Sequence, residues 1–177
     1  MEQWNRQIKI ARYMLLGTVI ATVLNIAFLL GNMNLFISYC AAVPYYLLWL
    51  GKIFDNGYAI GMRNGEFAAT GLFMAGILLA GYLLVWWLAR DSRRWLWVSL
   101  WLIVADLLAL CVMALVLFAD PLGCFWEVVL HIAVIFEIGQ GLRAQKQMEA
   151  ALAKAQAEAA LQEELQEQEL PQEDPVL

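Results

Sequence analysis

Charge is what this chain has least of. Only 15% of its 177 residues are Asp, Glu, Lys or Arg, against 63% hydrophobic, and the mean hydropathy is +0.65. A soluble domain is about half apolar and a quarter charged, so the composition points to one integral membrane domain. The net charge of −5 belongs mostly to the tail: Glu163, Glu164, Glu167, Glu169, Glu173 and Asp174 all fall in the last fifteen residues. The rest is about neutral and has no basic face, so nucleic acid is not an expected partner.

Cysteine is scarce as well. Cys40, Cys111 and Cys124 are odd in number, lie in apolar stretches and form no C-x-x-C, which excludes a disulfide framework and leaves them as small hydrophobes. The chain lacks H-E-x-x-H, G-x-S-x-G, the phosphate-loop pattern and G-x-G-x-x-G, and Gly51-Lys52 follows no phosphate loop. Intramembrane hydrolysis needs a nucleophile with its partner, and only Asp106 is placed for that. Neither enzymatic activity nor a cofactor is expected. The basic start (Arg6, Lys9, Arg12) before an apolar run resembles a signal peptide, but no small-residue cleavage site follows, so an uncleaved helix is expected.

What is present is five apolar runs: 10–30, 34–50, 67–89, 95–118 and 121–142. About 20 residues at 1.5 Å each cross a 30 Å hydrocarbon layer. The run 67–89 has no charge, whereas 34–50 is the shortest and carries Pro44 in its middle, where a kink is expected. No alternating pattern occurs, so helices rather than a barrel are implied. The fold expected is an all-α integral membrane protein, a bundle of five membrane helices of which four or five span. It occupies 1–142, and 143–177 forms an Ala/Gln/Glu-rich cytoplasmic helical tail. The D-N-G and R-N-G triplets between the second and third runs read as turns.

The motif "WWLARDSRRWLW" at 86–97 orients the chain. Trp86, Trp87, Trp95 and Trp97 suit the headgroup belt, and Arg90, Arg93 and Arg94 suit the cytoplasmic side of a hairpin. If all five runs cross, the eleven Lys and Arg divide five against six. If one early run fails to cross, the N-terminus, the 90–94 turn and the tail share a side, and the division becomes nine against two. The run 34–50, as a re-entrant dip, is the natural candidate, although a run this apolar ordinarily crosses. Either of the better solutions puts the 90–94 turn and the tail in the cytoplasm of a plasma-membrane protein.

Small residues at helical spacing mark helix packing: Gly17 and Ala21 with Asn25, and the pairs Gly71/Ala75 and Gly76/Ala80. Asp106 is the only charge in its run and costs roughly 3 kcal/mol to insert, so it must face protein or water. Ser99, Asp106 and Met113 form one stripe. Glu127 and the sole histidine, His131, stand four apart on one face that Cys124 can join, and Glu127 is near enough to the membrane end to be hydrated. Three readings stay open: a polar cluster that fixes helix pairing, a proton relay through Asp106, Glu127 and His131, or a metal site from Cys124, Glu127 and His131. The first is the plainest, and the metal reading the weakest because only one imidazole exists.

Residues 143–170 favour helix by composition and would extend roughly 40 Å, ending at Pro171. Met148, Leu152, Ala155 and Ala159 keep a heptad-like spacing that is then lost, too short for a firm coiled coil. Basic residues early and acidic ones late oppose the helix dipole, so fraying is expected after about 165. A protein partner or a second copy is the candidate occupant of this helix, besides membrane lipid around the bundle.

With "VPYYLLWLG" (43–51), Asp106 and "VVLHIAVIFEIGQGLRA" (128–144) in view, the chain resembles a group of small multi-span membrane proteins of Gram-positive bacteria. The likeness covers roughly 9–145; it implies class and carries no activity. The function expected is a non-enzymatic accessory or scaffold protein, the alternative a small oligomeric transporter or channel-like protein coupled to protons through Asp106 and His131.

Overall fold

The computed structural model describes residues 2–57, 65–90, 92–118 and 124–169, and no strand occurs among them. Five α-helices follow in order: α1 Glu2–Leu30, α2 Ala42–Gly57, α3 Glu66–Leu88, α4 Arg93–Met113 and α5 Phe125–Glu169, with a π-helical turn Ala114–Phe118 after α4. Four stretches are long and apolar enough to cross a membrane: Glu2–Leu30, Glu66–Leu88, Arg94–Val116 and Phe125–Glu163. The outward faces of these helices are apolar, with Tyr13, Phe73, Trp101, Leu108, Trp126 and Phe136 all exposed. In water such a surface would be costly, whereas in lipid it is the expected exterior.

The second apolar run is different. α2 has 16 residues, about 24 Å of helix, too little for the hydrocarbon layer. α1 ends in a Schellman arrangement: Met33 N–H donates to Phe28 O, Asn32 N–H donates to Leu29 O, and Asn32 takes the left-handed φ of 54°. The chain then turns back into the bundle. Asn25 holds both backbone groups of Ile37 at 2.8 Å, and the Tyr39 hydroxyl donates to Met14 O, further back along α1. From there α2 starts beside Asp106 and runs outward until Lys52 donates to Leu29 O and Asn32 Oδ1. Residues 31–57 therefore enter and leave by the same end of the bundle.

Pro44 lies in the first turn of α2, not in the middle of a span, and so does not kink it. A first-turn residue has no intrahelical acceptor for its N–H, and proline has none to lose. α2 packs on α3, and glycine makes that crossing close: a Cβ at Gly51 would lie 2.5 Å from Phe67 O, and one at Gly71 2.6 Å from Leu47 O. Asp55 near the end of α2 accepts the N–H groups of Phe67 and Ala68, capping α3.

α5 packs along α1 and α4. A Cβ at Gly141 would come within 2.7 Å of Ala11 Cβ, while Thr18, later in α1, shares a cavity with His131 and Val134, earlier in α5, so α1 and α5 run antiparallel. The start of α1, the α3–α4 turn and the outgoing part of α5 thus gather at one end of the bundle. α5 continues past Ala144, the last buried residue among the side chains described, as one helix to Glu169, and residues 152–163 are exposed. The expected fraying beyond 165 falls on helix as far as 169, and 170–177 with Pro171 lie outside the described residues.

Candidate functional site: a buried polar cluster at the re-entrant turn

Among the described residues Thr18, Thr22, Asn25, Ser99, Asp106, Glu127 and His131 are the buried polar side chains. Thr18, Thr22 and Ser99 return their hydroxyls to carbonyls four residues earlier in their own helices, the usual way an apolar helix hides a hydroxyl. The other four converge on the point where the chain reverses before α2.

A helix N-terminus leaves its first four N–H groups without intrahelical acceptors. Here all four are accounted for. Ala41 N–H donates to Thr22 Oγ1 at 2.7 Å, Ala42 N–H to Asp106 Oδ2 at 2.7 Å and Val43 N–H to Asp106 Oδ1 at 2.9 Å. Pro44, the fourth, has no N–H. Asp106, midway along α4, thus serves as a cap supplied from another helix, and the positive end of the α2 dipole favours its negative charge.

His131 stands on the other side of the carboxylate, with Nε2 2.8 Å from Asp106 Oδ2 and Nδ1 2.7 Å from Glu127 O. A carbonyl can only accept, so Nδ1 carries a hydrogen. One further proton lies between Nε2 and Oδ2. Whichever atom holds it, the pair is neutral overall, which is how a buried acid and base avoid an uncompensated charge. Tyr82, on α3, brings its buried hydroxyl towards Asp106 as well.

Glu127 is 5% exposed, and the Tyr46 hydroxyl donates to both its carboxylate oxygens at 3.2 and 3.3 Å. It is buried rather than exposed at its helix end, with the Tyr46 hydroxyl of α2 against it. Beside His131, Thr18, Tyr39 and Cys40 help enclose a cavity of about 10 Å³, the least room one water needs.

The metal reading does not assemble. No group of three His, Cys, Asp or Glu side chains with metal-binding geometry exists among the described residues. Both nitrogens of His131 are already committed, one to Asp106 and one to a backbone carbonyl.

The remaining singled-out residues divide by position. Gly17 faces Tyr39, whose Cε1 would be 3.1 Å from an added Cβ, and Ala21 is buried. Gly71 and Ala75 are buried on the α2 side of α3, while Gly76 and Ala80 are exposed, with nothing within 4 Å of a Cβ at Gly76. Trp87 and Trp97 are exposed and Trp86 and Trp95 partly buried, with the Arg12 guanidinium 5.6 Å from the Trp86 ring centroid. Arg90 and Arg94 are exposed, and the side chain of Arg93 lies outside the described residues. Nothing in the sequence marks Thr22, Tyr46, Gly51 or Asp55 for the contacts they make. Asp55 reads as a turn former in its D-N-G triplet, and Tyr46 sits in an aromatic run that looks lipid-facing.

No protein family, no curated protein and no solved structure matches the chain.

Proposed function

We propose that this chain is a non-enzymatic membrane scaffold, its bundle anchoring a rigid arm that receives a cytoplasmic protein partner or a second copy. The observation that carries the reading is the unbroken α5: one helix of 45 residues begins inside the bundle and continues as the exposed arm. A helix that is gripped by α1 and α4 at its root holds a fixed direction beyond the membrane. The 90–94 turn, the start of α1 and this arm share the end with nine of the eleven Lys and Arg, which by the charge rule is the cytoplasmic face of a plasma membrane. On this reading Asp106, His131 and Asn25 serve architecture: their hydrogen-bonding groups go to holding residues 31–43 in place.

Truncation after Ala151 tests it. This cut leaves every buried residue of α5 intact, so the bundle should melt as the full chain does. Loss of oligomer size, or of the partner cross-linked in intact cells, is expected. An unchanged oligomer and an unchanged cross-linking pattern would sink the scaffold reading.

A second reading, proton-coupled transport, is favoured by one observation. A helix starts at mid-depth on a carboxylate–imidazole pair with a water-sized cavity beside it, an arrangement of the kind transporters use. Asp106→Asn with His131→Gln discriminates between the two. A stable double variant with intact cellular function removes transport; a folded but inactive one favours it over the scaffold.

A further inference from the structure

A groove of about 320 Å³ opens between the start of α4 and residues 139–146 of α5, lined by Trp97, Leu100, Gly139, Leu142, Arg143 and Lys146. It lies at the bundle end that carries the tryptophan and arginine belt, so it straddles the headgroup and acyl levels. Its chemistry is divided accordingly. Arg143 and Lys146, three apart on one helical face, form a cationic mouth, while Leu100, Gly139 and Leu142 form an apolar floor. Among the described residues no acidic side chain lines it, and neither cation has a hydrogen-bond or ion-pair partner. Gly139 is what keeps the floor open, since an added Cβ there meets nothing within 4 Å.

We propose that this groove binds one anionic phospholipid, its phosphate between Arg143 and Lys146, its glycerol edge against Trp97 and an acyl chain over Leu100, Gly139 and Leu142. The volume is that of a small-molecule site. Two cations and no anion select against zwitterionic lipids, whose own positive group would meet Arg143 and Lys146. The apolar floor selects against free phosphate, which has nothing to lay there. A tryptophan at the mouth supplies an amphipathic wall at the level where glycerol and ester groups lie. The site stands independently of what the arm of α5 does.

The test uses the purified full chain, stripped of lipid and titrated with phosphatidylglycerol or phosphatidylcholine under native mass spectrometry. One phosphatidylglycerol adduct in preference to phosphatidylcholine is expected. Arg143→Gln with Lys146→Gln should weaken it roughly thirtyfold, from about a tenfold loss per 1.4 kcal/mol and about 1 kcal/mol per cation. Gly139→Leu, whose Cβ meets nothing within 4 Å and whose longer side chain extends into the groove, should abolish it without lowering the melting temperature. Arg90→Gln with Arg94→Gln removes equal charge from the same end and should change binding less than threefold, about half the per-cation effect. Equal binding of the two lipids, undiminished binding by Gly139→Leu, an equal loss in the Arg90/Arg94 variant, or full displacement by millimolar inorganic phosphate would each overturn the proposal.

Discussion

Asp106 and His131, on α4 and α5, share one proton across 2.8 Å while the same carboxylate closes the N-terminus of α2. One side chain thereby joins three elements that are far apart in sequence. Because Oδ2 serves both Ala42 N–H and His131, replacing that oxygen disturbs two contacts at once.

Asp106→Asn keeps size and shape and removes an acceptor. Its one oxygen can satisfy either Ala42 or Val43, and its NH₂ faces the other amide. An orphaned buried N–H costs about 1–3 kcal/mol and loss of a buried ionic partner adds to it, so destabilisation of about 3 kcal/mol is expected. His131→Gln, which leaves both amide bonds in place, should cost about half as much. Thermal melts followed by labelling of the buried Cys40 and Cys124 measure both. Equal melting of Asp106→Asn and the parent chain would show that the cap is not needed.

The re-entrant path predicts sides. In a background without cysteine, Asn5→Cys and Ser92→Cys should react with a membrane-impermeant maleimide from one side, and Asn34→Cys from the other. All three lie outside the buried core. If Asn5→Cys and Asn34→Cys label from the same side, α1 does not cross and the whole arrangement fails.

How much of this was legible in the sequence can be seen at particular residues. The four long apolar runs became the four long helices because length and hydropathy alone specify a span. The run 34–50 was ambiguous because two sequence signals conflict there: its apolarity favours crossing and the Lys and Arg count disfavours it. The tie is broken by groups a sequence does not display, the backbone N–H groups of Ile37, Ala41, Ala42 and Val43, each bound by a side chain of α1 or α4. Asp106, His131 and Asn25 stand out since a polar group in an apolar run must have a partner. Asp106 and His131 partner each other, but Asp106 also binds the backbone of Ala42 and Val43, His131 that of Glu127 and Asn25 that of Ile37, which a sequence does not display. Gly76 and Ala80 share their spacing with Gly71 and Ala75. In a helix apolar on every side, spacing does not say which face meets protein.

That last point can be measured. Gly71→Ala puts a methyl group 2.6 Å from Leu47 O, against backbone that cannot easily retreat, and should cost about 1–3 kcal/mol. Gly76→Ala meets nothing and should be neutral or stabilising by up to about 1 kcal/mol from helix propensity. Equal effects of the two in a melting series would mean that α2 does not rest on α3 as described.

The Tyr46–Glu127 contact is the second tie between α2 and α5, 81 residues apart in sequence. Removing the hydroxyl in Tyr46→Phe takes a hydrogen-bond donor from a buried carboxylate, for which about 1–3 kcal/mol is expected. Glu127→Gln keeps an oxygen for the hydroxyl, so it should cost less than Tyr46→Phe. In the double variant the hydroxyl is gone and the partner is neutral, so the loss should be smaller than the sum of the two single losses. A coupling of about 1 kcal/mol in that cycle is the expected signature of residues in contact. Strict additivity in the cycle would show that Tyr46 and Glu127 do not share a hydrogen bond.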